Sequence, residues 1–168
     1  MARTIRDEGA VDLLIAAPAD AIYERVADVT ATGDRSVECR SCEWLPGAPP
    51  GSIGARFRGR NRSGFIRWSR VCEVTKAEPG RLFSFRTLPE RFDPTRADST
   101  TWSYVLEPEG TGTRVTHAYR ITKMPLPPLQ WLYARMLPQH RDMRPQMTHT
   151  LEALRAELEA RDAPDVAP

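Results

Sequence analysis

The chain has 168 residues, enough for one domain with a substantial core, and a domain of that size buries roughly 70% of the surface its unfolded chain exposes. Its 24 lysines and arginines against 22 aspartates and glutamates give a formal charge of +2 and a pI near 8.6, too mild a basic excess to indicate a nucleic-acid partner. No apolar run is long enough to span a bilayer, and the N-terminus lacks the apolar core and cleavage site of a signal peptide, so a cytoplasmic setting without stable membrane insertion is expected.

Gly9 to Ala17 alternates Val11, Leu13 and Ile15 against Asp12, Leu14 and Ala16, which reads as a first strand. Pro18 stops it and, at a first helical position with Asp20 in the first turn, opens a helix whose apolar face is Ile22, Tyr23 and Val26, ending near Asp28. A short helical or irregular piece over Thr30 to Ser36, around Gly33, completes a crossover. Val37 to Leu45 is extended, and the Pro-Gly-rich loop from Pro46 to Gly51 has no helical option.

The clearest strand signal follows. From Gly54 to Arg62, Arg56, Arg58, Arg60 and Arg62 hold one face, and Ala55, Phe57, Gly59 and Asn61 hold the other. Ser63-Gly64 turns the chain into a strand over Ile66 to Lys76, with Trp68, Arg70, Cys72 and Val74 on one face. Leu82 to Thr87 places Phe83 and Phe85 together, Pro89 to Asp98 reads as a loop able to act as a flap, and Thr100 to Glu107 alternates Trp102, Tyr104 and Leu106 against small polar residues and Val105. The hairpin signal Glu109-Gly110-Thr111-Gly112 leads into Thr113 to Thr122, where Val115, His117, Tyr119 and Ile121 share a face, and Pro125, Pro127 and Pro128 end the sheet.

The last long segment, Pro128 to Arg161, is the only stretch periodic enough for a major helix: Leu132, Met136, Met143, Met147, Leu151, Leu154 and Leu158 recur every three to four positions, with His140 in one slot. Pro138 and Pro145 would each cost on the order of 3 kcal/mol in a helix interior. The segment therefore divides into a short helix near Leu129 to Leu137 and a kinked long helix from Pro138 to Arg161, about 36 Å long at 1.5 Å per residue. Residues 1–161 form the expected domain, and 162–168 an expected flexible tail.

Three cysteines, Cys39, Cys42 and Cys72, make an odd count, and two of them form Cys39-Arg40-Ser41-Cys42. A redox pair of this spacing needs its first thiolate at a helix N-terminus, and a zinc site needs further Cys or His ligands; the segment reads as extended and has no second pair, so packing is expected and neither a metal nor a cofactor.

The strings PADAIYERVAD, GARFRGRNR, WSRVCEVTKAEPGRLFSFR, WSYVLEPEGTGTRVT and TLEALRAELE, in this order, resemble the START/pollen-allergen superfamily in its polyketide cyclase/dehydrase and lipid-transport form, in particular an actinobacterial branch. The resemblance covers about residues 8 to 160. It implies an α+β helix-grip fold: a curved antiparallel sheet of about seven strands, two short helices, and one long C-terminal helix enclosing a cavity. Where related sequences often carry an acidic residue after the last strand's Val115-Thr116, this chain has His117.

In that fold the period of two turns Phe57, Asn61, Trp68, Arg70, Phe85, Trp102, Tyr104, His117 and Tyr119 inward, and the helix adds Met136, His140, Met143 and Met147. Each aromatic or methionine is equally readable as ordinary core. His117, Tyr119 and Arg70 are the candidate acid/base and oxyanion-stabilising set for aldol cyclisation or dehydration of a poly-ketone. The leading expectation is a cofactor-free protein, monomer or homodimer, that binds a lipid, fatty acyl or polyketide-like molecule. The rival is an aromatase/cyclase or dehydratase using the same hollow, and a third reading is an interaction module with a filled cavity.

Overall fold

The computed structural model describes residues 5–89, 100–123 and 127–162; the flap expected over Pro89 to Asp98 lies outside them from residue 90 on, as do Pro125 and the tail from residue 163. Seven strands form one antiparallel sheet: β1 (Glu8–Ile15), β2 (Cys39–Trp44), β3 (Arg56–Ser63), β4 (Ile66–Glu78), β5 (Leu82–Thr87), β6 (Thr100–Glu109) and β7 (Gly112–Ile121). Their order, β1-β7-β6-β5-β4-β3-β2, is a meander closed at one edge by the first strand. The helices are α1 (Ala19–Ala27), α2 (Thr32–Arg35), α3 (Pro127–Met136) and α4 (Arg144–Asp162). This is the helix-grip architecture, with α4 packed across β1 and β7 and the α1–α2 crossover joining β1 to β2.

The alternation read from the sequence becomes the two faces of this sheet. Along β3 the arginines are exposed while Phe57 and Gly59 are buried. Arg56 reaches Glu73 at 3.0 Å and Arg60 reaches Glu43 at 2.7 Å, so part of the stripe pairs with acids on neighbouring strands. On the other face Phe83, Ile15, Ile22, Val74, Val115, Leu151 and Leu154 make the fully buried core. Gly33 lets α2 lie on β2: a Cβ there would stand 2.5 Å from the carbonyl oxygen of Arg40.

Two boundaries differ from expectation. Pro18 precedes α1 as its N-cap, with ψ of 146° keeping it extended, and the helix begins at Ala19. The expected kinked helix from Pro138 is instead a 3₁₀ turn over Pro138–Arg141 and then α4 from Arg144, about 28 Å of helix rather than 36 Å. Both prolines explain the break. Pro138 starts the 3₁₀ turn and Pro145 sits in the first turn of α4, positions where a missing N–H leaves no hydrogen bond unmade. Between them Asp142 is extended, and its carboxylate accepts from the Arg144 backbone N–H at 3.1 Å. His140 is therefore placed by a turn, not by the helical period.

One charged cluster ties the crossover to α4. Glu157 pairs with Arg25 of α1 and, at 3.4 Å, with Arg35 of α2, whose other nitrogen donates to the Arg25 carbonyl at 2.8 Å. Arg35 is 6% exposed, so removing its counter-charge leaves two guanidinium groups facing each other in a poorly hydrated place. Glu157→Gln should lower stability by roughly 2 kcal/mol, a figure discounted for the partial exposure of Glu157. Urea unfolding reads this as a lower midpoint at unchanged slope, and an unchanged midpoint would mean that water already screens the cluster.

Candidate functional site

Between the concave face of the sheet, the α2 end of the crossover, α3 and α4 lies a cavity of about 510 Å³. Its floor is aromatic because β3 to β7 each turn a ring inward at alternate positions. Phe57 and Phe85 meet edge to face at 5.2 Å, and Trp44 continues the row at 5.6 Å from Phe57. Trp68, Asn61 and Arg70 border the same hollow from β3 and β4. Arg70 stands directly opposite Gly59, above which the Cys39 and Cys42 sulfurs lie.

The opposite wall is built on the β6–β7 pair. Tyr104 and His117 are direct cross-strand partners, and their rings stack at 4.0 Å and 3°. Trp102, from the same strand as Tyr104, also stacks on the imidazole, with ring centroids 5.8 Å apart. His117 Nδ1–H donates to the Ser103 carbonyl at 3.1 Å, since a carbonyl can only accept, and this leaves Nε2 as an acceptor. Burial is the main reason that the His117 pKa is pushed down to about 4, partly opposed by that hydrogen bond. Burial likewise pushes the Tyr104 phenol up to about 12. At neutral pH this wall is uncharged.

Tyr119, two residues on and on the same face, meets Trp102 at 5.7 Å but not the cavity. Its ring packs with Met143 and Met147 in a second, smaller cluster, and its hydroxyl donates to the Arg6 carbonyl at 3.2 Å. It is not among the residues bordering the cavity, because α4 crosses β7 at that level and covers it. Met143 and Met147 reach the cavity from the helix side, and Met136 borders its mouth while 53% exposed.

Several lining groups carried weak sequence signals. Tyr133 shares the helical spacing of Leu129, Leu132 and Met136, which was the available clue. Glu38 and buried Arg35 had none, since the crossover has no period. The cysteines lie on a strand, as expected, but a bulge between Cys39 and Ser41 turns both to one face, with their sulfurs 3.4 Å apart and both thiols free. Hydrogen bonding from Cys42 lowers the Cys39 pKa, and the same contact with burial raises that of Cys42. Among the described residues no group of three or more His, Cys, Asp or Glu is arranged to hold a metal.

At the mouth, Glu38, His140 and Tyr133 are joined. His140 Nε2 lies 2.7 Å from Glu38 Oε1, and its Nδ1 contacts the Tyr133 hydroxyl.

A family model described as polyketide cyclase / dehydrase and lipid transport matches residues 10–159. The chain belongs to this family. Similar solved structures include the Zhui aromatase/cyclase of Streptomyces sp. R1128, 14% identical with a TM-score of 0.70 over 96% of this chain and 98% of that one. The di-domain ARO/CYC StfQ from the steffimycin biosynthetic pathway is 15% identical with a TM-score of 0.71, over 95% of this chain and 52% of its own. The polyketide cyclase-like protein Cgl2372 of Corynebacterium glutamicum is 26% identical with a TM-score of 0.58, over 96% and 97%. No curated protein sequence matches the chain. Among the described residues of this family member, no helix is long and apolar enough to cross a membrane.

Proposed function

We propose that the chain binds a hydrophobic small molecule, of lipid, fatty acyl or polyketide-like character, in the cavity between sheet and helices. The observation that carries this is the hollow itself: about 510 Å³, with a mainly apolar wall of rings, methionines and aliphatic side chains and a polar minority that includes Arg70 and Glu38, and within the range of small-molecule sites. An interaction module with a filled core would have no use for such a volume. Assignment to the actinobacterial branch belongs to the same proposal and draws support from the Corynebacterium glutamicum likeness.

Native mass spectrometry of the purified chain, followed by denaturing extraction, tests the proposal. A stoichiometric hydrophobic passenger is expected. A ligand at about 100 times its Kd should also add about 2.7 kcal/mol, or roughly 5 to 10 °C in Tm for a chain of this size. An empty protein that no lipid or aromatic polyketide stabilises would remove the reading.

The second reading, an aromatase/cyclase or dehydratase, draws on His117 Nε2 and Arg70 sharing the cavity wall. It proceeds without Tyr119 as its phenol, and its base would be an imidazole whose basicity burial has reduced. Loss of turnover with binding retained in His117→Phe or Arg70→Met would favour the enzyme. Altered affinity alone in Met143 or Trp102 variants would favour the binder.

A further inference from the structure

Two neighbouring segments near the C-terminal helix and one remote in sequence, that of Glu38, converge at the cavity mouth. Glu38 precedes β2, Tyr133 is on α3, and Gln139 and His140 are on the 3₁₀ turn. All but Gln139 border the cavity. The Glu38 and His140 side chains are 16% and 11% exposed, so their contact is shielded from bulk water. Glu38 Oε1 accepts from His140 Nε2–H at 2.7 Å and from Gln139 Nε2 at 3.0 Å, while that same amide nitrogen donates to Ser63 Oγ at 2.8 Å. The carboxylate is thereby held in place and fixes which imidazole nitrogen carries the proton. Nδ1 is left as the acceptor for the Tyr133 O–H. Trp68 packs edge to face on the imidazole at 5.8 Å, leaving the ring little freedom to turn.

A hydroxyl on a base, with the base oriented by an acid, is the arrangement that activates hydroxyls. We propose that Glu38, His140 and Tyr133 form a carboxylate–imidazole–phenol relay that makes the Tyr133 oxygen a general base toward a flat carbon acid held in the cavity. This rests on the reading that a small molecule enters there, and goes beyond it in assigning proton-transfer chemistry to the mouth. The Tyr133 proton passes to His140 Nδ1, and the imidazolium so formed faces the Glu38 carboxylate. The phenolate oxygen then takes the proton of an acidic C–H bond, whose electron pair moves into the neighbouring electron-withdrawing group. The extra proton leaves His140 to water or returns to the substrate anion. No oxidant or reductant is required. Tyr133 is the group that meets the substrate, and Glu38 is a positioning residue.

The probe is 5-nitrobenzisoxazole, a flat ring that opens in one step when a base removes its C–H: the N–O bond breaks and the coloured 2-cyano-4-nitrophenolate appears. The intact protein should open it with saturable kinetics. Tyr133→Phe and His140→Gln should each lower kcat by roughly 10²-fold. Glu38→Gln should lower kcat with KM unchanged, a split that a purely structural strut would not produce. Absence of saturable turnover by the intact protein, or variants that keep its rate, would overturn the relay. Long-range proton–nitrogen NMR on the ligand-free protein needs no variant: His140 should be the Nε2–H tautomer, and an Nδ1–H tautomer would also overturn it. Neither readout depends on a co-purified passenger, so the relay and the binding reading fail separately.

Discussion

Replacing Phe83 with alanine should cost about 3 to 5 kcal/mol, the range for deleting a fully buried ring. Phe83 has no exposed surface, packs edge to face on Tyr23 of α1 at 6.2 Å and leans on Phe85 at 6.1 Å. It therefore joins the crossover helix to the floor of the sheet. Neighbouring Phe85 is the informative control. It lies on the same strand and touches Phe57, but one side of its ring borders the cavity and it is only partly buried. Fewer partner atoms are lost when it is truncated, so Phe85→Ala should cost clearly less. The measurement is urea unfolding of both variants. Equal losses would mean that the hollow beside Phe85 is closed in solution, and would count against a cavity of the observed size.

That contrast marks where the sequence was legible. Along β3, β6 and β7 a period of two placed Phe57, Trp102, Tyr104 and His117 on the inner face, because a strand in a half-buried sheet has only two faces to choose from. The same rule could not separate His117 from Tyr119. Which of two same-face residues meets the hollow depends on where α4 crosses β7, a tertiary fact with no local signature. The closeness of the two thiols had no sequence signature either. On a regular strand, positions three apart point to opposite faces, and one bulge residue reversed that for Cys39 and Cys42. The mouth was least legible. Tyr133 and His140 meet locally, where a helix gives way to a turn seven residues on, but only closure of the fold brings Glu38 to them.

Acid should destabilise this protein partly through His117 alone. The unfolded chain takes up a proton on this residue near the ordinary histidine pKa of 6.5, whereas in the fold it does so only near 4. Between those values unfolding binds a proton, so stability falls as pH drops from about 6.5 to 4 and is insensitive to this residue above that window. The gap corresponds to about 3 kcal/mol. His117→Phe keeps a ring against Tyr104 but carries no proton, and leaves the Ser103 carbonyl without its donor, which should cost about 1 to 3 kcal/mol at every pH. The wild-type advantage at pH 7 should therefore shrink, and vanish or reverse, as the pH nears 4. A difference that stays constant from pH 7 to 4 would mean that water reaches the imidazole, and the uncharged wall of Trp102, Tyr104 and His117 would have to be abandoned. An imidazole that stays neutral down to such acidity is a weak base but a good hydrogen-bond acceptor through Nε2. On the proposed reading, its wall therefore holds an apolar guest with one donor group rather than deprotonating it, and proton transfer is assigned to the proposed relay at the mouth.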